Sequence, residues 1–456
     1  MGKTPRLLLC APRSGGGKTT VTCALLQALM NRGEKPVAFK CGPDYIDPMF
    51  HSEVIGAKSR NLDLFFLGED TTRRLLAENT GEDGVAVIEG VMGYYDGIGM
   101  SDEAGAYALA RTTETPAVLV ADARGCALSL AAEVKGFLNF RADSGIRGVL
   151  LNRCSPMLYD RLKSCVEEET GLPVFGYLPN LPDCALESRH LGLVTAAEVE
   201  GLREKLQRLA EQAEKTLEID GLLRLAGEAP ALEYSPRRPV SSLKKKLRVA
   251  LARDRAFCFY YEDGLEELRR QGIEFVEFSP LEDEALPQGV SGLYLGGGYP
   301  ELYGEELSQN AAMREAVRKA VLGGMPCVAE CGGFLFLHET LEDVGGRKWP
   351  MAGVFRASAY PVGKLKRFGY VTLTAEEDNL LCRRGETLPA HEFHYWESDS
   401  PGAGFTARKP QSDRSWTAGQ VSPTLYAGFP HFHFSSRPEA ARRFTEACGR
   451  FREELQ

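Results

Sequence analysis

The stretch Arg6-Leu7-Leu8-Leu9-Cys10-Ala11-Pro12-Arg13-Ser14-Gly15-Gly16-Gly17-Lys18-Thr19-Thr20 decides how the front of this chain folds. Residues 6–10 form an apolar run of strand length, three glycines allow a tight turn, and from Thr19 to Asn31 apolar residues recur at helical spacing. A strand, a glycine loop and a helix in that order turn backbone N–H groups inward around a polyphosphate, and the helix N-terminus adds its positive end. Gly15, Gly16, Gly17, Lys18, Thr19 and Thr20 are therefore the expected ATP-binding residues, with Lys18 reaching the outer phosphates and the Thr19 hydroxyl offered to Mg²⁺. The spacing is G-x-x-x-x-G-K-[ST], with Pro12 in the first glycine's place.

Outward from this loop the same rhythm continues. Apolar runs at Pro36–Phe39, Val85–Ile88, Ala117–Ala121, Gly148–Leu151 and Val174–Tyr177 read as strands, separated by helical stretches such as Tyr159–Thr170. Strands alternating with helices predict βαβ units and a mostly parallel sheet. A charge-rich helical pattern over Ala196–Ala226 closes this half, and the polar, proline-bearing stretch Glu228–Lys246 reads as a linker. The rhythm then restarts with strands at Leu247–Ala252, Ile273–Phe278, Gly292–Leu295 and Cys327–Ala329 and helices at Glu262–Gln271 and Ala311–Leu322. The expected architecture is two tandem α/β domains, residues 1–227 and 247–456, joined by a linker at 228–246.

In an open parallel sheet, ligands gather outside the carboxyl ends of the strands. Two acidic segments stand there. One is Lys40-Cys41-Gly42-Pro43-Asp44-Tyr45-Ile46-Asp47, after the second strand; the other is Glu89-Gly90-Val91-Met92-Gly93-Tyr94-Tyr95-Asp96, after the third. Asp44 and Glu89, with Thr19, form an expected oxygen shell for Mg²⁺. Asp47 and Asp96 are weighed between substrate binding and turn formation.

Composition bounds the rest. The chain has 456 residues, 43% hydrophobic and 26% charged, which excludes a disordered or fibrous protein. A net charge of −9 argues against a general nucleic-acid binder. Twelve cysteines are scattered without a CxxC pair or zinc-like spacing, so they read as mostly reduced and buried. No apolar stretch has the length of a spanning helix or signal peptide, and a cytoplasmic protein without a membrane partner is expected.

A second centre lies towards the back. The strand ending at Ala329 runs into Glu330-Cys331-Gly332-Gly333, a cysteine on a sharp strand-to-helix turn in the manner of a nucleophile elbow. The following helix N-terminus is expected to favour the thiolate. The Gly332 N–H and the glycine loop Gly296-Gly297-Gly298 supply an oxyanion hole, with Gly297 as the second donor. His431, in Phe429-Pro430-His431-Phe432-His433-Phe434, is the expected base, and His433 falls on the same face of an apparent strand. The run His391-Glu392-Phe393-His394 is one residue short of HExxH, so a zinc protease is excluded.

With both centres in place, the chain resembles the cobyrinate a,c-diamide synthase family: a dethiobiotin-synthetase-like ATP domain fused to a class I glutamine amidotransferase-like domain. The resemblance rests on Phe39–Pro48, Glu89–Gly93, Ser188-Arg189-His190-Leu191-Gly192-Leu193, Ala256–Tyr261, Gly296–Glu301, Glu330–Gly333 and His391–Tyr395, and it spans nearly the whole chain. Loops lacking the first glycine are found in the dethiobiotin synthetase and partition-ATPase group. The resemblance implies Cys331 as glutaminase nucleophile and His431 as the group that activates it, with Lys18, Thr19, Asp44 and Glu89 around ATP and Mg²⁺. His431-Phe432-His433 departs from the wider His-x-Glu pattern, as members of the cobyrinate branch do, so the third triad member is missing.

The resemblance further implies two successive amidations, at the a and c acetates of a tetrapyrrole polycarboxylate. ATP would supply an acyl phosphate, L-glutamine the ammonia, and a sheltered passage its transfer. Lys40, Arg189 and His190, with Arg367 behind them, are candidates for holding the substrate's carboxylates. Hydrogenobyrinate and nickel-sirohydrochlorin are alternative macrocycles, cobyric acid synthase a more distant enzyme, and a nucleotide switch with an inert rear module a different class. Self-association is left open.

Overall fold

The structure, a computed structural model, describes residues 3–184, 196–237 and 246–454. It divides into two compact units, Met1–Pro236 and Arg237–Gln456.

The first unit is built on seven strands: β1 (Arg6–Cys10), β2 (Pro36–Cys41), β3 (Lys58–Leu62), β4 (Val85–Glu89), β5 (Ala117–Asp122), β6 (Ile146–Asn152) and β7 (Val174–Leu178). They lie in the order β3-β2-β4-β1-β5-β6-β7, every pairing parallel. All five residues of β1 are buried, because helices cover both faces of a parallel sheet; hence the apolar run Leu7–Cys10, with the buried Arg6 donating to the carbonyls of Thr4 and Thr113. Leu7 and Leu9 face a core that includes Leu25 and Leu29 of helix α1 (Lys18–Asn31) and Leu206 and Leu209 of the helix Ala196–Thr216. Each fully buried leucine contributes about 1.5–3 kcal/mol.

Two features differ from expectation. Strand β3, Lys-Ser-Arg-Asn-Leu, is too polar to read as a strand; it sits at the sheet edge, where one neighbour suffices. The helical pattern over Ala196–Ala226 breaks into Ala196–Thr216 and Ile219–Gly227. There Leu217 bridges Gly176 and the Glu218 N–H donates to the Phe175 carbonyl (2.9 Å), so pairing with β7 interrupts the helix.

In the second unit β8 (Leu247–Ala252), β9 (Phe257–Phe259), β10 (Ile273–Phe278), β11 (Leu293–Leu295), β12 (Gly297–Gly298) and β13 (Cys327–Glu330) come first. Strands β10-β8-β11-β13 and Leu425–Gly428 are parallel, with antiparallel Gln420–Ser422 at the edge. Beside this sheet lies a five-stranded antiparallel sheet whose last strand is His431–Phe432, paired to Thr387–His394. The βα rhythm gave no sign of this sheet.

Candidate functional site: two centres at strand ends

The first centre grows from the carboxyl ends of β1, β2 and β4. Gly15 and Gly17 take φ of +74° and +92°, values that favour glycine. Gly17 caps α1 in the left-handed conformation, leaving the first-turn N–H groups to an anion. Lys18 is buried; its Nζ donates to the carbonyls of Arg13 (3.4 Å) and Met92. Burial, and then the like charge of Lys40, lower the Lys18 pKa, while Glu89 and Asp96 act the other way.

Parallel register sets Lys40 opposite Glu89. Lys40 Nζ donates to Glu89 Oε1 (2.9 Å) and to the Asp47 carboxylate, and stands 3.9 Å from Asp44 Oδ2. Burial works against the Lys40 charge, but Glu89, Asp47 and Asp44 outweigh it and hold the ammonium above its ordinary value. Thr19 Oγ1 donates to the same Glu89 Oε1 at 2.6 Å. Glu89 is fully buried, and burial raises its pKa. Among the described residues its Oε2 has no hydrogen-bond partner, and it stands 3.7 Å from His51 Nε2.

The structure thus brings Thr19, Lys40, Asp44, Asp47 and Glu89 together. Asp44 also accepts from the N–H groups of Ile46 (2.8 Å) and Asp47 (3.3 Å), a turn role, and burial followed by Asp47 raises its pKa to about 6. Asp96 accepts from the Gly93 N–H at 3.0 Å, bracing its own loop. Arg189 and His190 lie outside the described residues. Among the described residues no group of three or more His, Cys, Asp and Glu is arranged to hold a metal. The Thr19 hydroxyl and Glu89, with its unpartnered buried oxygen, are nonetheless hard oxygen donors of the kind Mg²⁺ takes alongside phosphate and water.

Two residues unmarked in the sequence reading brace the loop. Asn152 Nδ2 donates to the Gly16 carbonyl (3.1 Å), and Arg153, ion-paired with Asp122 (2.7 Å), donates to the Gly15 carbonyl (2.9 Å). A polar pair closing the apolar strand β6 at its carboxyl end was the available signal. A Cβ on Gly17 would lie 1.8 Å from Asn152 Nδ2. Gly17→Ala should therefore weaken ATP binding by about tenfold or more, the positive φ alone costing about 1–2 kcal/mol. Titration calorimetry with ATP checks this; wild-type affinity would show that the loop tolerates the methyl group.

The second centre is the elbow after β13. Cys331 sits at φ 45°, ψ −97°, a strained backbone held by its N–H donating to the Gly428 carbonyl (2.8 Å). The Gly333 N–H donates to the Gly296 carbonyl (2.9 Å), tying the elbow to the glycine loop. A Cβ on Gly332 would lie 3.0 Å from the Gly298 nitrogen, and one on Gly297 would lie 2.5 Å from His431 Cε1. Gly297, Gly332, Cys331 and His431 are thus gathered, and only glycine fits between loop and imidazole.

Burial, then the carboxylates of Glu301, Glu330 and Glu392, push the Cys331 thiol well above its ordinary value; the Gly332 N–H offsets only a little. That corrects the expectation of a thiolate favoured by the helix N-terminus. The resting group is a thiol and needs a base. His431 is buried, and its Nδ1 is 3.1 Å from Glu330 Oε2, while Glu330 Oε1 accepts from the Tyr294 hydroxyl at 2.8 Å. Glu330 and Tyr294 were missed in the sequence, though Glu330 directly precedes the cysteine.

His433 follows Phe432, the last residue of the strand, in an extended conformation (φ −116°, ψ 117°). It stacks on Tyr261 (centroids 5.1 Å apart) and its Nδ1 accepts from the Ser435 N–H at 3.1 Å. Burial lowers its pKa to about 3. His391 faces His431 across the paired strands, and burial lowers it to about 3 as well. His394 stacks on Phe429 at 4.0 Å, within the core.

Residues 7–194 match the CobQ/CobB/MinD/ParA nucleotide binding domain family, and residues 248–439 the CobB/CobQ-like glutamine amidotransferase domain family. The chain is 38% identical over 448 residues to a cobyrinate a,c-diamide synthase of Caldanaerobacter subterraneus, covering 97% of this chain and 98% of the relative. It is 39% identical over 454 residues to the protein of that name from Thermoplasma volcanium, covering 98% of each. It is 39% identical over 452 residues to that of Salmonella typhimurium, covering 97% of this chain and 98% of the relative. A phosphate loop and a cysteine elbow on one chain, matched over nearly its full length, place this protein in the cobyrinate a,c-diamide synthase family of glutamine-hydrolysing amidotransferase ligases.

Proposed function

We propose that this chain amidates the a and c acetate side chains of cobyrinate, using ATP and glutamine, through an acyl-phosphate intermediate. One observation carries the reading: the same chain holds a phosphate loop opening on the Thr19–Glu89–Lys40 cluster and a strained cysteine elbow packed on the glycine loop that touches His431.

A carboxylate does not condense with ammonia in water, because its oxygen is a poor leaving group. Attack by the substrate carboxylate on the γ-phosphate of ATP makes an acyl phosphate and releases ADP. Lys18 steadies the charge that develops on the transferring phosphoryl group, which is where such catalysis resides. Thr19 and Glu89 would hold Mg²⁺, which when bound neutralises phosphate charge. Lys40 and Asp47 hold the mouth of this centre in place, with Asp44 on the adjoining turn, and Lys40 offers a cation to an incoming carboxylate. At the other centre His431 takes the proton of Cys331, the sulfur attacks the glutamine side-chain amide, and the N–H groups at Gly297 and Gly332 receive the oxyanion. His431 returns the proton to the departing ammonia, and water then releases glutamate.

All twelve cysteines are free thiols, which supports a reducing compartment such as the cytoplasm. Among the described residues no helix is long and apolar enough to cross a membrane.

Incubating the purified chain with ATP and glutamine, and with cobyrinate, hydrogenobyrinate or nickel-sirohydrochlorin, tests the assignment. Mass spectrometry should find the diamide of cobyrinate, with one ADP and one glutamate formed per amide. Amidation confined to another macrocycle would replace the substrate; glutamate release without any amide would return the reading to a different enzyme class.

A further inference from the structure

The wider amidotransferase pattern orients the catalytic imidazole with a glutamate two residues after it, and here that position is His433, stacked on Tyr261. An imidazole that must take a proton on Nε2 needs its Nδ1–H held by an acceptor, or the ring rests in the wrong tautomer. We infer that Glu330, the residue immediately before the nucleophile, is the positioning residue for His431, with Tyr294 fixing Glu330 in turn.

Five observations converge. Glu330 Oε2 lies 3.1 Å from His431 Nδ1, the nitrogen opposite the one the reaction uses. Glu330 Oε1 accepts from the Tyr294 hydroxyl at 2.8 Å, so both carboxylate oxygens are committed. Glu330 is 1% exposed and His431 3%, so the pair acts in a dry environment, where one hydrogen bond decides the tautomer. Backbone explains how neighbours in sequence serve two functions. Glu330 still belongs to β13, paired with Gly428, whereas Cys331 turns away at φ 45°. The nearby histidine, His391, approaches from the paired strand and is held neutral by burial.

With the carboxylate on Nδ1–H, Nε2 accepts the Cys331 proton as the S–C bond to the glutamine amide forms. The imidazolium is steadied by Glu330, then gives that proton to nitrogen as the C–N bond breaks and ammonia leaves. Water then cleaves the thioester to glutamate.

This inference rests on the glutaminase reading of Cys331 and His431. Glu330→Gln conserves shape and can still accept from Tyr294, but presents an N–H to Nδ1. It should lower the kcat of glutamate release by about a hundredfold or more with little change in the glutamine KM, as when a triad carboxylate becomes an amide. Ammonia-fed amidation, which bypasses the thiol, measures folded enzyme. His433→Gln should keep a near-normal kcat. Should Glu330→Gln fail to fold, Tyr294→Phe serves: it frees one Glu330 oxygen and should lower kcat by a smaller factor, again without raising KM. A wild-type kcat in Glu330→Gln, a change confined to KM, or a kcat loss in His433→Gln alone would overturn the assignment. Cys331→Ala separates the levels: if it still hydrolyses glutamine, the glutaminase reading itself fails; if it does not while Glu330→Gln does so normally, only the role of Glu330 falls.

Discussion

Cys331→Ala should lose glutamine-dependent amidation by a factor on the order of 10⁴ while ammonia-dependent amidation continues, since deleting a nucleophile removes the covalent route altogether. The variant suits the question because alanine keeps a Cβ. The backbone at φ 45° and ψ −97° is as strained with alanine as with cysteine, so any lost rate reports on the sulfur rather than on a relaxed turn. Its surroundings also argue that sulfur is there for chemistry. A thiol pushed upward by burial and by Glu301, Glu330 and Glu392 is a poor spontaneous nucleophile, yet its elbow packs on a glycine loop in which a Cβ on Gly297 would lie 2.5 Å from the His431 ring. Burial raises Glu301 itself to about 7, so part of this acidic surround is neutral near physiological pH. Feeding ammonium chloride at alkaline pH and following amide formation checks the division of labour. Loss of both activities in a protein that melts normally would refute it, as would undiminished use of glutamine.

Much of this was readable in the sequence for a physical reason. Strands buried on both faces carry long apolar runs, so Arg6–Cys10 and Leu247–Ala252 coincide with the observed strands to the residue; Ile273–Phe278, partly exposed at the sheet edge, coincides as well. The phosphate loop was legible because its backbone demands glycine at Gly15 and Gly17, and the elbow because Gly332 and Gly333 touch the glycine loop. What escaped depends on partners distant in sequence. Glu330 meets His431 101 residues away, and Asn152 reaches the Gly16 carbonyl across 136. Neither has a local pattern of its own. The antiparallel sheet was hidden because its alternation is mixed; Arg367–Ala375 carries partly exposed residues at many positions, so no continuous apolar run announces it. Legibility thus followed the burial of backbone elements, and failed where single side chains bridge them.

Lys18→Met should abolish amidation from either nitrogen source, a loss on the order of 10²–10³-fold, because it removes a donor aimed at charge that develops only during phosphoryl transfer. The same substitution should leave the melting temperature unchanged or raise it, and that pairing distinguishes a functional lysine from a structural one. Lys18 is buried, its pKa is lowered first by that burial and next by Lys40, and its ammonium rests on the carbonyls of Arg13 and Met92. The sign follows directly. A lysine whose folded pKa lies below its unfolded value carries its proton at a cost in the folded state, and this cost applies wherever the unfolded lysine is charged, neutral pH included. Methionine keeps the stem and removes that cost. A structural lysine would behave otherwise: the fold would lose an ion pair and melt lower. Lys40 provides the contrast within the same cluster. Its ammonium is held above the ordinary value by Glu89, Asp47 and Asp44, so Lys40→Met leaves those carboxylates uncompensated and should melt at a lower temperature. Differential scanning calorimetry of the two variants, beside their amidation rates, separates the roles. A sharp fall in the melting temperature of Lys18→Met, or amidation at the wild-type rate, would mean that the ammonium serves the fold and that phosphate charge is met by another group.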